Sequence, residues 1–143
     1  MMPLTGDQID MVKKTMSMLE FEKFGPRYYH LLFKAHPEYR DWYGQDLAET
    51  IARYLGVLDL SVNSLEQSSE KGYHFHAPIL DPLKNLGERH QLIGIQADHY
   101  QIAINIFIEA LRQELVGTWS DEVEHSWRLL FQHITYWMNQ TNS

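Results

Sequence analysis

The sequence contains no cysteine at all. Disulfides, zinc–thiolate sites, iron–sulfur clusters and cysteine nucleophiles are thereby excluded. Positive charge is also scarce: 12 Lys and Arg against 19 Asp and Glu leave a formal net charge of −7. Duplex nucleic acid is bound by neutralising its phosphates with clustered Lys and Arg, so this balance argues against nucleic acid and against an anionic lipid surface. No apolar run approaches the roughly 20 residues that a bilayer-spanning helix needs. The opening MMPLTGDQID lacks the basic and apolar stretches of a secretory signal. Low-complexity tracts, internal repeats and Gly/Ser linkers are absent too. One cytoplasmic domain over residues 1–143 is expected, with neither nucleic acid nor membrane as partner.

Aromatic residues, by contrast, make up 13% of the chain, with four Trp, eight Tyr and six Phe. That suits a domain packed around something large and flat, and equally an aromatic-rich core. Strand signals are poor, whereas helical spacing recurs from end to end. Thr5 followed by Gln8 reads as a capping box, after which Ile9, Val12, Met16 and Leu19 keep to one face. Gly25-Pro26 predicts a break and the start of a second helix, which carries Tyr28, Tyr29, Leu32 and Phe33 and ends before Pro37. A short helical turn through Trp42 follows. Residues 47 to about 67 predict a long helix with Leu47, Ile51, Tyr54, Leu58, Val62 and Leu65 on one stripe, and residues 68–78 predict a loop.

Further on, Leu83, Leu86 and His90 stand at i, i+3 and i+7, which sets His90 in the apolar seam of its helix. Residues 98–115 are apolar nearly all round, so that helix is expected at the centre of the fold. Ser120, Asp121 and Glu122 cap and charge the start of a last helix running through Val123, Trp127, Leu130, Ile134 and Met138. About seven helices of unequal length, one of them short, make an all-α chain of the kind that packs around a prosthetic group rather than as a four-helix bundle.

Eight histidines compete for a functional role. His36, His99, His125 and His133 lie in polar or helix-end contexts and read as surface or rim residues. His30 points about 100° away from Tyr29 on an ideal helix. His74 and His76 alternate within a predicted loop, but two histidines without a third ligand are weak evidence for a metal. His90 occupies a position where the pattern calls for an apolar side chain, so its ring nitrogens must find partners. From periodicity alone it is a core imidazole or a ligand, with the former favoured.

Four ordered segments bear on that choice. The run LGERHQLIGIQADHY, residues 86–100, resembles the proximal region of single-domain bacterial globins and of the globin part of flavohaemoglobins. RYYHLLFKAHPEYRDWY, residues 27–43, resembles the second and third helices of the same family. LTGDQIDMVKKTMSMLE is similar to its first helix, and SDEVEHSWRLLFQHITYW to its last. The resemblance implies a globin fold, seven helices around one haem b (iron protoporphyrin IX), and it covers essentially the whole chain.

It also implies roles. His90 matches the proximal histidine, its Nε2 on iron and its Nδ1–H donated to the carbonyl of Leu86 one turn earlier. Tyr29 matches the distal tyrosine, a phenol donor aimed at bound O₂. Thr50 falls where the family has Gln or His, Tyr54 one turn further in, and Tyr43 or Trp42 at the place of a ring-stacking phenylalanine. These departures imply a polar, tyrosine-lined pocket, and with no His at 47, 50 or 54 no internal sixth ligand. Leu86, Ile95 and Tyr100 join the haem environment on the proximal side, Tyr100 matching a tyrosine that flavohaemoglobins place near the proximal histidine. Those proteins add a Glu from the last helix, but here no acidic residue follows Glu124, so electron push towards O–O chemistry is incomplete.

Reversible binding of O₂, with NO or CO as further ligands, is the leading expectation, for oxygen transport or gas sensing through a signalling partner. NO dioxygenation would need a separate reductase, since the chain carries no flavin or nicotinamide domain. A haem-less interaction module is the remaining alternative, and either a monomer or a homodimer is compatible with the sequence.

Overall fold

The computed structural model describes residues 2–68, 72–75 and 77–140. Six α-helices are found there: α1 (Gly6–Ser17), α2 (Phe21–Ala35), α3 (Leu47–Asn63), α4 (Ala77–Leu92), α5 (Ala97–Glu114) and α6 (Asp121–Met138). A 3-10 helix, Pro37–Trp42, follows α2, and two strands, β1 (Leu65–Ser68) and β2 (Gly72–Phe75), pair antiparallel between α3 and α4. Seven helices in all give the all-α globin fold expected from the sequence, with a small hairpin added. No helix among the described residues is long and apolar enough to cross a membrane.

The capping signals act as read. Gln8 N–H donates to Thr5 Oγ1 at 3.2 Å while Thr5 N–H donates to Gln8 Oε1 at 2.8 Å, closing the box that starts α1. Ser120 Oγ accepts from Val123 N–H at 3.2 Å and starts α6, whose first turn also holds three carboxylates at the positive end of its dipole.

Three expectations about elements are corrected. Helix α2 does not begin at Gly25-Pro26 but at Phe21, because the Glu20 carbonyl already accepts from the Lys23 and Phe24 amides. Pro26 lies inside it, and Gly25 serves instead as a crossing point: a Cβ there would sit 2.9 Å from Ile51 Cγ2 of α3. Helix α3 ends at Asn63 rather than near residue 67. There the Ser64 amide turns to the carbonyls of Ser61 and Val62, while Ser64 Oγ donates to the Leu60 carbonyl that a continuing helix would have given to that amide. The predicted loop over residues 68–78 contains strand β2 and the start of α4; Leu65 faces Phe75 across the hairpin, and Phe75 is buried edge-on against His133.

The core gathers on α5 and α6, as the apolar character of residues 98–115 predicts. Phe107, Ala110 and Leu111 of α5 and Trp127 and Leu130 of α6 have no exposed surface. Phe107 is the hub, meeting Phe24 at 4.9 Å, Tyr28 at 5.4 Å and Phe131 at 5.3 Å edge-on, and stacking on Tyr54 at 5.2 Å. Each such pair adds roughly 0.5–1.5 kcal/mol beyond the area it buries. Trp127 Nε1–H donates to Thr15 Oγ1 at 2.9 Å, so the one polar atom of a fully buried indole is satisfied and ties α6 to α1. Among the described residues α2 packs on α5 and α3, α1 on α6 and α3, and α4 on α6, while α3 and α4 make no broad contact with one another.

Candidate functional site

The sequence-predicted residues fall into two groups. On one side, Tyr29 of α2 is 4% exposed, and its ring meets Tyr43 edge-on at 5.4 Å, Phe33 stacked at 5.5 Å and Tyr28 at 5.3 Å. Tyr28 leads on to Tyr54 of α3 at 6.0 Å. Four phenols and two phenylalanines, Phe33 and Phe107, thus line the region between α2, α3 and α5. The Tyr29 hydroxyl is buried and has no hydrogen-bond partner among the described residues. The Tyr28 hydroxyl is likewise buried without a hydrogen-bond partner among the described residues.

Burial is the main cause that pushes the phenols of Tyr29 and Tyr54 far above the ordinary tyrosine value, with Tyr43 adding to it in both. Burial also raises Tyr43. All three are therefore neutral hydrogen-bond donors at any physiological pH.

Thr50 sits half-buried on α3, its hydroxyl spent on the Asp46 carbonyl at 3.0 Å. Trp42 makes its ring contacts outside that cluster of four phenols. It stacks on Tyr39 at 4.7 Å and leans on His99 of α5 at the same distance.

The second group lies where α4 passes into α5. The Ile95 amide donates to the His90 carbonyl at 2.9 Å, closing a turn in which Gly94 takes φ +94, a conformation that side chains rarely adopt. This turn leaves the start of α5 within side-chain reach of the last turn of α4. His90 Nδ1 then lies 3.1 Å from the Tyr100 hydroxyl. Here the structure departs from the expected partner, the Leu86 carbonyl: the tight turn supplies a phenol across the helix junction, and that phenol reaches the imidazole first. Leu86 is partly buried against the core, and Ile95 and Tyr100 line a small cleft of about 340 Å³ with Asn139, which caps the end of α6.

His90 is half-buried. Burial first, and the neighbouring Arg89 charge second, hold its imidazole below the usual histidine range, so it is neutral at pH 7. A neutral ring that donates Nδ1–H to the Tyr100 oxygen keeps its Nε2 lone pair for a metal; the opposite tautomer would not.

His133, read from sequence as a rim residue, is fully buried. Its Nε2 lies 2.9 Å from the Met2 carbonyl, fastening the N-terminal segment to α6. The polar neighbours of His133 in sequence hid this, because the partner comes from 131 residues away. His74 sits in β2 opposite Glu66, and His76 lies outside the described residues. Among the described residues no three His, Asp or Glu side chains gather to hold a free metal ion.

Sequence reasoning passed over Phe33 and Gly87. Phe33 stands four residues after Tyr29, the spacing of one helix face, which is a usable signal. Gly87, in the middle of α4, is a glycine where a helix former belongs, and such a residue signals close approach. A Cβ at Gly87 would collide with the backbone carbonyl oxygen of Met138 and lie 2.9 Å from its Cα, so glycine lets α4 seat against the end of α6 and fixes the height of His90 three residues on.

Comparison with known proteins places this geometry. The family model for globins matches residues 27–138. The chain is 25% identical over 132 residues to a flavohemoprotein of Bacillus cereus and to one of Bacillus anthracis, covering 87% of this chain and 30% of each relative. A flavohemoprotein of Bacillus subtilis is 21% identical over 126 residues, with the same coverage. The chain therefore spans about a third of the length of these curated relatives. With the family match running from α2 to the end of α6, and helices in the matching order, the chain belongs to the globin family.

Proposed function

We propose that this globin holds one haem b between the two groups, with His90 Nε2 as axial iron ligand, and that it reversibly binds a diatomic gas, O₂ first. The observation that carries the reading is the Tyr29 hydroxyl, buried without a partner among the described residues. Leaving a buried hydroxyl unsatisfied costs about 1–3 kcal/mol. A small polar ligand in front of it offsets that cost, and no described residue does. The absence of broad contact between α3 and α4 is consistent with a flat group entering between them.

When bound, ferrous haem supplies the metal site for the gas. The chain's own residues do the rest. Tyr29, neutral at every physiological pH, donates a hydrogen bond towards the ligand position. Tyr43, Tyr54 and Phe33 exclude water and orient that phenol. Tyr100 fixes the tautomer and ring direction of His90. A neutral phenol takes Nδ1–H less strongly than a carboxylate would and leaves the imidazole less electron-rich, which favours gas binding over O–O cleavage. Transport or sensing fits this balance, and the site residues are the same for both. NO dioxygenation with a separate reductase uses the same groups and needs stronger electron push than this pair provides.

The decisive measurement is the absorption spectrum. Protein purified from haem-replete cells, or reconstituted with haemin, is expected to show a Soret band at about one haem per chain. A colourless protein that takes up no haemin defeats the reading and leaves a haem-free interaction module. In the red protein, Tyr29→Phe is expected to raise the O₂ dissociation rate roughly tenfold, the kinetic equivalent of one hydrogen bond of about 1.4 kcal/mol. An unchanged rate by stopped flow removes Tyr29 from the distal role.

A further inference from the structure

The His90–Tyr100 contact depends on how the first turn of α5 is held, and one residue of that turn is built unusually. The third residue of a helix commonly returns its side chain to the capping residue's amide, a task of Glu or Gln. In α5 the imidazole of His99 performs it: Gln96 N–H donates to His99 Nδ1 at 2.9 Å. Nδ1 must be bare to accept, so the ring is the Nε2–H tautomer. The His99 and Tyr100 amides in turn donate to the Gln96 carbonyl, at 3.0 and 3.4 Å, which closes the turn around Gln96. The same imidazole is clasped from the 3-10 helix by Trp42, with centroids 4.7 Å apart, and by Tyr39 edge-on at 5.5 Å. Tyr39 is itself buried and stacked on Trp42. His99 thus bonds to the start of α5 and wedges it against the segment that follows α2. Tyr100, the next residue, carries the hydroxyl 3.1 Å from His90 Nδ1.

We propose that His99 is a positioning residue, acting through its bond to the Gln96 amide to hold the Tyr100 hydroxyl against His90. The inference about the turn stands on geometry alone, and its consequence at iron rests on the reading of His90 as the haem ligand. Because the ring both packs and accepts, the two contributions need separate variants. His99→Leu keeps apolar contact with Trp42 and accepts nothing; His99→Gln restores the usual capping acceptor. Tyr100→Phe defines the state in which the contact with His90 is lost.

Two readouts apply to the purified full chain. Amide hydrogen exchange at Gln96, His99 and Tyr100 is expected to quicken roughly five- to tenfold in His99→Leu and to stay near wild type in His99→Gln. In the ferrous haem-loaded protein, the iron–histidine stretching band of His99→Leu is expected to move towards that of Tyr100→Phe, and that of His99→Gln to remain at the wild-type position. If His99→Leu keeps wild-type exchange and band position, the proposal is overturned. It is equally overturned if His99→Gln behaves like His99→Leu, since the ring itself and not the cap would then matter. Should the protein take up no haem, the reading of His90 fails, while amide exchange and the His90 side-chain ¹⁵N shifts still decide whether His99 seats Tyr100.

Discussion

His90→Gly is expected to purify with little or no haem and with a Soret band lost on gel filtration, retention falling by more than about 100-fold. The estimate follows from scale: removing groups that merely support a metal ligand costs about 10- to 100-fold, and here the ligand itself is removed. Other contributions are smaller. Glycine within a helix costs about 1 kcal/mol relative to Ala, and His90 lies near the end of α4 where the helix already turns. The fold should therefore survive, as far-UV circular dichroism would show. Added imidazole is expected to enter the vacated space and restore the band in part, which separates loss of a ligand from loss of the fold. Full haem retention by His90→Gly would rule out His90 as the axial residue.

The second large effect concerns a residue that touches no ligand. Gly87→Ala adds one methyl group, and by helix propensity alone it should stabilise α4 by about 1 kcal/mol. The tertiary contact points the other way. The new Cβ would overlap the Met138 carbonyl oxygen and press on the backbone around it, which cannot rotate away as a flexible side chain can. Helix α4 must then separate from α6, its main packing partner, at a cost of about 3 kcal/mol. In thermal denaturation this is expected as a fall of roughly 10 °C in Tm. Weakened haem retention should accompany it, since His90 rides on the displaced helix. Gly56→Ala is the matched control. That glycine also lies within a helix, but a Cβ there meets nothing within 4 Å. It is expected to leave stability unchanged or raise it by up to about 1 kcal/mol. Equal Tm values for the two variants would show that the α4–α6 approach is looser than these contacts imply.

The two predictions differ in how they could be found. His90 was visible in sequence as a histidine on an apolar face, and the ordered resemblance gave it meaning. Gly87 was visible only as a helix-interior glycine, and nothing local names Met138, 51 residues on, as the reason. Other corrections have the same origin. The Tyr100 hydroxyl replaced the Leu86 carbonyl as partner of His90 because the turn at Gly94 brings the start of α5 within side-chain reach of the end of α4, a geometry that helical spacing within α4 cannot express. His133 looked like a rim residue among polar neighbours and is buried because Met2 reaches its ring from the other end of the chain.

The sequence by itself determined the number and order of the helices and the caps at Thr5 and Ser120, and it singled out Tyr29 and His90 as the residues to propose for the site. All of these rest on local forces, on side-chain periodicity or on a pattern shared with a family. Tertiary structure decided the actual contacts: the Phe33 and Tyr43 rings on Tyr29, the Tyr100 hydroxyl rather than the Leu86 carbonyl on His90 Nδ1, and Met138 against Gly87. A contact between residues distant in the chain depends on the angle and depth at which two elements pack. Packing is a property of many side chains at once, and no single segment carries it.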